Sequence, residues 1–186
     1  MNKLFFVMLA LATLILVGCK PGVKPPTDPD PTMVADPTLD NDPGVLNAEA
    51  SGQQWSEAGA GGLGDPEVDA AAKLAIRDIH FAYDSAAILP NEAAILQGIA
   101  GFLKKYPQVL VKIEGHCDER GTEEYNMALG SRRANAAREE LGKMGVEQAK
   151  LFTISYGEMR PMTPGHDEKA WAENRRGHCL VGLAGK

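Results

Sequence analysis

Prolines constrain this chain first. Pro21, Pro25, Pro26, Pro29, Pro31, Pro37 and Pro43 fall so close together that no helix or central strand can run through residues 20–43. Asp28, Asp30, Asp36, Asp40 and Asp42 lie among them, and Gly59, Gly61, Gly62 and Gly64 follow. Such a stretch has too little apolar surface to offset the entropy of ordering it. Residues 19–65 are therefore expected to form a disordered tether, with a root-mean-square span of roughly 40 Å or more. Trp55 and Leu63 are expected to stay with it. Any fold must be built from residues 66–186, enough for one ordinary domain.

Within that region the apolar spacing changes period several times. Asp65 and Pro66 read as a helix start, with a short helix over 66–74. Residues 77–83 read as a strand around Ile79 and Phe81. Ala94, Ile95, Ile99, Phe102 and Leu103 recur at helical spacing until Pro107. Val109, Val111 and Ile113 alternate as a strand. Ala128, Leu129, Ala136, Ala137 and Leu141 mark the inner face of a helix over 123–143, with Gly145 just past its end. Strands over 151–156 and 176–183 follow, separated by one helical turn at 169–174. The order β-α-β-α-β-β predicts an α/β sandwich, with helices packed on a mixed four-stranded sheet.

The densest local signal is Glu114-Gly115-His116-Cys117-Asp118-Glu119-Arg120-Gly121-Thr122-Glu123-Glu124-Tyr125-Asn126, a strand end, a turn and a helix start in succession. It places Asp118 fifteen residues before Arg133. An acid and a base on a rigid frame can grip both poles of a zwitterion. Arg133 offers a planar fork for a carboxylate. Asp118 offers acceptors for an ammonium. Asn126, Leu129 and Arg133 are three and four residues apart and share one helix face. The plain alternative is that Asp118 and Arg133 pair with each other or with water. An exposed pair contributes about 0–1 kcal/mol, so replacing either by Ala is expected to leave thermal unfolding almost unchanged.

Other chemistries find less support. The formal net charge is −6 and there is no basic run, which argues against nucleic acid. His116-Cys117 and His178-Cys179 invite a zinc reading, but strand neighbours point to opposite faces, so four ligands do not converge; no metal is expected. Cys117 and Cys179 are left as either a disulfide or two buried thiols. His80, Asp84 and Ser85 are adjacent in sequence, which is not triad geometry. No phosphate-binding loop is present. The chain reads as a non-enzyme without a cofactor.

Several separated motifs resemble the OmpA-like peptidoglycan-binding domain family. They are Phe81-Ala82-Tyr83-Asp84, Glu114 through Thr122, Glu124-Tyr125-Asn126, Leu129-Gly130, Arg132-Arg133-Ala134, Ser155-Tyr156-Gly157-Glu158, Pro161, Gly165-His166 and Asn174-Arg175-Arg176. The string Asp118-Glu119-Arg120-Gly121-Thr122 resembles the lipoprotein members rather than the porin-type ones. The chain departs from the pattern at Ser85-Ala86 and at Gly177-His178-Cys179. The resemblance implies peptidoglycan as ligand, read at the diaminopimelate of its stem peptide. Asp118, Arg133, Asn126 and Leu129 would form the site, with Tyr83 and Asp84 as the opposite wall. It also implies a TolB-like periplasmic partner. Asn174-Arg175-Arg176 reads as a structural hinge into the last strand or, second, as a further binding element.

The N-terminus agrees with the lipoprotein branch. Lys3 precedes an apolar run from Leu4 to Val17 that is too short to span a bilayer well. Leu16-Val17-Gly18-Cys19 resembles a lipobox. Residues 1–18 would then be a signal peptide and Cys19 the lipidated residue. Lys20, in place of an aspartate, favours the outer membrane, with the domain facing the periplasm.

Overall fold

The computed structural model describes residues 55–57 and 62–184. The signal segment, Cys19 and most of the tether lie outside the described residues. Ten elements follow in order. They are β1 (Trp55–Glu57), α1 (Pro66–Ala75), β2 (Ile79–His80), α2 (Ala93–Lys105), β3 (Val109–His116), α3 (Glu123–Lys143), a 3-10 turn (Gln148–Lys150), β4 (Leu151–Gly157), α4 (Glu168–Asn174) and β5 (Arg176–Ala184). No helix among the described residues is long and apolar enough to cross a membrane.

The helix starts follow their caps. Asp65 accepts from the Glu67 amide at 2.8 Å with Pro66 at the first helical position, Thr122 accepts from Tyr125 at 3.2 Å, and Asp167 accepts from Ala170 at 2.8 Å. The sheet is mixed, in the order β1-β5-β3-β4. β3 runs parallel to β4 and antiparallel to β5, while β1 and β2 both add antiparallel to β5. Val109, Val111 and Ile113 on β3 and Cys179 on β5 face the helices. They join Leu96, Ile99, Leu103, Ala134, Ala137 and Leu141 in the core. The opposite face of β3 carries Lys112, Glu114 and His116.

The α/β sandwich is as expected, and helix α3 runs between the expected ends. Three details differ. The strand around residues 77–83 shrinks to Ile79–His80, with the Phe81 amide still donating to the Arg175 carbonyl at 2.9 Å in register with that pairing. The inner face of α2 includes Leu96, fully buried, whereas Ala94 and Ala128 are exposed. Ala tolerates either side, so its place in the pattern carried no information. Trp55 and Leu63 do not stay with the tether. Trp55–Glu57 forms the fifth strand, and Leu63 is buried in the core. Of the two readings left for Cys117 and Cys179, the structure has the buried thiols: both are free. Burial pushes their thiols up to about 11 and about 12, so they stay protonated and inert.

One close contact sets the site. A Cβ built at Gly115 on β3 would lie 1.8 Å from the Gly130 carbonyl oxygen on α3. Without side chains there, α3 settles directly onto the end of β3. That brings Asn126 and Arg133 over the turn that follows the strand.

Candidate functional site

The site gathers at the C-terminal end of β3, where the chain leaves the sheet through Cys117 and Asp118. Arg133 reaches it from α3 and is 1% exposed. Its Nε donates to the Ser85 carbonyl at 2.9 Å. Its Nη1 donates to the His116 carbonyl at 2.8 Å and to Cys117 Sγ at 3.3 Å, and its Nη2 to the Ala82 carbonyl at 3.1 Å. A guanidinium carries five N–H groups, so one on Nη2 is unspent. All four partners are neutral, and the Phe81 ring lies beneath at 5.4 Å. Burial lowers the pKa of this guanidinium, which nonetheless stays a cation at any physiological pH. Arg133 thus staples the loop after β2 to the end of β3 while holding a positive charge with no direct counter-charge.

Asp118 is 4% exposed and pairs with other arginines. Its Oδ1 accepts from the Arg120 amide and from Arg120 Nε, both at 3.1 Å. Its Oδ2 accepts from Arg120 Nη2 at 2.7 Å and from Arg175 Nη1 at 3.2 Å. Burial alone would raise its pKa. The Arg120 side-chain and backbone bonds and Arg175 outweigh that and hold the carboxyl below the ordinary value. Asp118 and Arg133 therefore lie in one cluster without bonding each other, and neither is an exposed surface charge.

Asn126, 1% exposed, fastens the turn. Its Nδ2 donates to the carbonyls of Asp118 at 3.3 Å and Arg120 at 3.2 Å and to the Glu158 carboxylate. Leu129 is buried on the same face of α3. Tyr83 and Asp84 stand on the facing loop, Tyr83 at 54% exposure. Asp84 takes a left-handed conformation at φ 49°, uncommon outside glycine, and accepts from the Tyr125 hydroxyl.

Sequence reasoning gave no site role to Arg120 and Trp171 and left Arg175 between hinge and binding. Arg120 lies with its guanidinium 4.1 Å from the Tyr83 ring and 4.1 Å from the Trp171 ring. Arg175 is buried and donates to Phe81 O, Asp118 and Glu168. Trp171 donates from Nε1 to Glu119 at 2.9 Å, and Glu119 also bonds His166 at 2.7 Å. Arg120 sat in view inside the Asp-Glu-Arg-Gly-Thr string. Nothing local tied it to Trp171, which lies 51 residues further on. The hinge reading of Asn174-Arg175-Arg176 fits the geometry. Asn174 Oδ1 accepts from the amides of Met162 and Thr163, and Arg175 braces Asp118.

The geometry overturns one energetic expectation. Replacing Arg133 or Asp118 by Ala removes several buried, charge-assisted bonds, so thermal unfolding will not stay unchanged.

A profile of the OmpA family matches residues 80–175, which span every site element from the β2 loop to Arg175. The chain belongs to the OmpA family. Among its OmpA relatives, the peptidoglycan-associated lipoprotein of Pseudomonas aeruginosa is 40% identical over 92% of this chain and 92% of its own. The crystal structure of the peptidoglycan-associated lipoprotein from Burkholderia pseudomallei superposes with a TM-score of 0.59 at 43% identity, covering 63% of this chain and 99% of that one. The C-terminal domain of Helicobacter pylori MotB shares the OmpA fold at 24% identity, with a TM-score of 0.54 over 58% of this chain and 85% of that one. The two lipoprotein relatives carry the name of a wall-associated protein, not of an enzyme.

Proposed function

We propose that this chain is an outer-membrane lipoprotein that binds peptidoglycan without covalent linkage and so ties the membrane to the wall. The observation that carries this is the match, along nearly the whole of both chains, to a protein named for peptidoglycan association. Cys19 is the lipidated residue and the proline-rich segment the tether. The domain reads the free amino-acid end of diaminopimelate. Its carboxylate is drawn to the uncompensated charge of Arg133 and that residue's spare N–H. Its ammonium is drawn to Asp118. Asn126 fixes the turn that presents Asp118, Leu129 backs the aliphatic stem, and Tyr83 with Asp84 closes the opposite wall. A TolB-like protein is the periplasmic partner, placing the chain in the Tol–Pal system of envelope integrity and division. No wall bond is cut.

The test is co-sedimentation of the full chain, held in detergent, with purified sacculi. Sacculi containing diaminopimelate carry the protein into the pellet, and sacculi with lysine in that position do not. Equal pelleting with both defeats the diaminopimelate reading, and pelleting with neither defeats wall binding. Soluble fragments released during the incubation would instead make the chain a hydrolase. Capture of purified TolB by the same protein tests the partner, and its failure leaves a wall-binding lipoprotein outside the Tol system.

A further inference from the structure

The Arg120 guanidinium does not simply decorate the surface. It fills a slot whose two walls are the rings of Tyr83 and Trp171, each 4.1 Å from its central carbon. The floor is the Asp118 carboxylate, at 2.7 Å from Nη2 and 3.1 Å from Nε. Glu168 stands to one side, 3.7 Å from Nη1. Two aromatic faces over a buried carboxylate form a cation receptor. The ring quadrupoles attract positive charge, and the carboxylate supplies the counter-ion.

The three arginines around Asp118 are held differently. Arg133 and Arg175 are buried and bonded to backbone carbonyls of the loop after β2, so they belong to the frame. Arg120 is partly exposed, and its side-chain hydrogen bonds all go to Asp118. It can leave without unfastening a loop, because its backbone amide and Arg175 would still hold Asp118 at 3.1 and 3.2 Å. The slot itself is kept by other bonds. Trp171 is oriented through Glu119, and Tyr83 stands on the loop clamped by Arg133.

These contacts use every lone-pair direction of Asp118. An incoming ammonium can reach this carboxylate only by taking the place of a resident donor, and Arg120 is the one free to go. We propose that the Tyr83–Trp171 slot is where the cationic end of the ligand sits, and that Arg120 is a built-in stand-in which the ligand must displace. This rests on the wall-binding reading above and adds Arg120 and Trp171 to its machinery. Binding is then an exchange of one cation for another. The buried carboxylate is never left without its counter-charge, and Arg120 sets the affinity by competing for the slot.

The experiment is calorimetric titration of the full chain in detergent with a muropeptide that ends in free diaminopimelate. The proteins are the unmodified chain, Arg120→Ala, Arg120→Gln and Trp171→Ala. Removing an internal competitor that holds the slot most of the time tightens binding about tenfold or more, and both Arg120 variants must show it. Loss of a wall in Trp171→Ala weakens binding about 3- to 30-fold. A muropeptide acetylated on the terminal diaminopimelate amine must gain nothing from Arg120→Ala. A Trp55→Phe background leaves Trp171 as the sole indole, and its emission must shift on titration. Equal or weaker binding by both Arg120 variants, with the unmodified chain binding normally, overturns the stand-in and leaves wall binding intact. Failure of every protein to bind overturns the wall-binding reading and the slot with it.

Discussion

Two charged clusters meet near the end of β3, and they are built to different standards. In the first, around Asp118, Arg120, Arg133 and Arg175, every hydrogen bond from these arginines to carboxylate or carbonyl oxygen lies between 2.7 and 3.2 Å. The second lies on the sheet face away from the helices. There Lys112 pairs with Glu114 at 3.1 Å and His178 with Asp78 at 2.7 Å. Arg176 Nε, however, stands 3.6 Å from Asp78, and His116 Nε2 stands 3.7 Å from Glu114. Both ring nitrogens of His116, and Nε and Nη1 of Arg176, have no hydrogen-bond partner among the described residues although they are buried. A well-bonded network holds most of its members in one geometry, whereas a loose one bears the cost of burial without that return. The better-bonded cluster is the one that surrounds the proposed ligand site, where a frame held by Arg133 and Arg175 lowers the cost of binding.

The largest expected effect separates the two directly. Arg133→Ala leaves the carbonyls of Ala82, Ser85 and His116 without their donor and costs about 3 kcal/mol or more, at roughly 1 or more for each buried carbonyl left unsatisfied. Arg176→Ala gives up one 3.3 Å bond to the Arg160 carbonyl and costs about 1–2 kcal/mol. Urea unfolding of both variants checks this, and equal losses would erase the distinction. Arg133→Lys rescues little, because an ammonium cannot span carbonyls on two segments.

Acid sharpens the contrast next. Burial pushes the Glu114 carboxyl up, but His116 and Lys112 override it and hold it at about 2, against an ordinary 4.5. Lys112 is the direct partner, since His116 is beyond hydrogen-bond range. A carboxyl held low stabilises the fold above its unfolded value, and the contribution is lost as pH falls from about 4.5 towards 2. Glu114→Gln therefore unfolds with a shallower pH dependence across that window. An unchanged slope would show that Glu114 is not the titrating group.

A smaller effect comes from His116. Burial pushes its pKa below 6.5, so the unfolded chain takes up a proton first and stability falls as pH drops through that value. Its ring stacks on Tyr156 with centroids 5.7 Å apart, and its nitrogens find no hydrogen-bond partner among the described residues. His116→Phe is expected to change stability by less than about 1 kcal/mol at pH 8 and to be more stable than the unmodified chain at pH 5. A large loss at pH 8 would mean that the ring nitrogens have partners after all.

The smallest effect concerns β1. Trp55 lies against Phe152 at 5.9 Å and beneath Lys112 at 5.4 Å. A Cβ at Gly182 would meet the Ser56 carbonyl oxygen at 2.3 Å. Gly182→Ala should release Trp55–Glu57 from β5, seen as faster amide exchange at Ser56 and Glu57, while global stability drops by about 1 kcal/mol or less. Unchanged exchange there would show that the strand pairs without the notch.

Much of this was legible in the residues. Helix α3 could be delimited because Thr122 caps its start and Gly145 follows its end, both local effects. The pairing of β3 with β5 could not be read locally, nor could the docking of Trp55, since strand partners far apart in sequence leave no periodic trace. The motif string marked Asp118 and Arg133 as important but misjudged their surroundings. They read as an exposed acid and base and are in fact a buried acid and a buried base, each with its own partners.

By itself the sequence determined which segments from residue 66 onward are helix or strand, and which charged residues occur near the turn after β3. Those follow from backbone freedom, side-chain period and capping, which act over a few residues. Only the tertiary structure decided that Arg133 is a staple, that Arg175 braces Asp118, and that Arg120 lies between Tyr83 and Trp171. Burial and hydrogen-bond partners are set by segments brought together from distant parts of the chain. The same carboxylate or guanidinium behaves differently once water has been replaced by those neighbours.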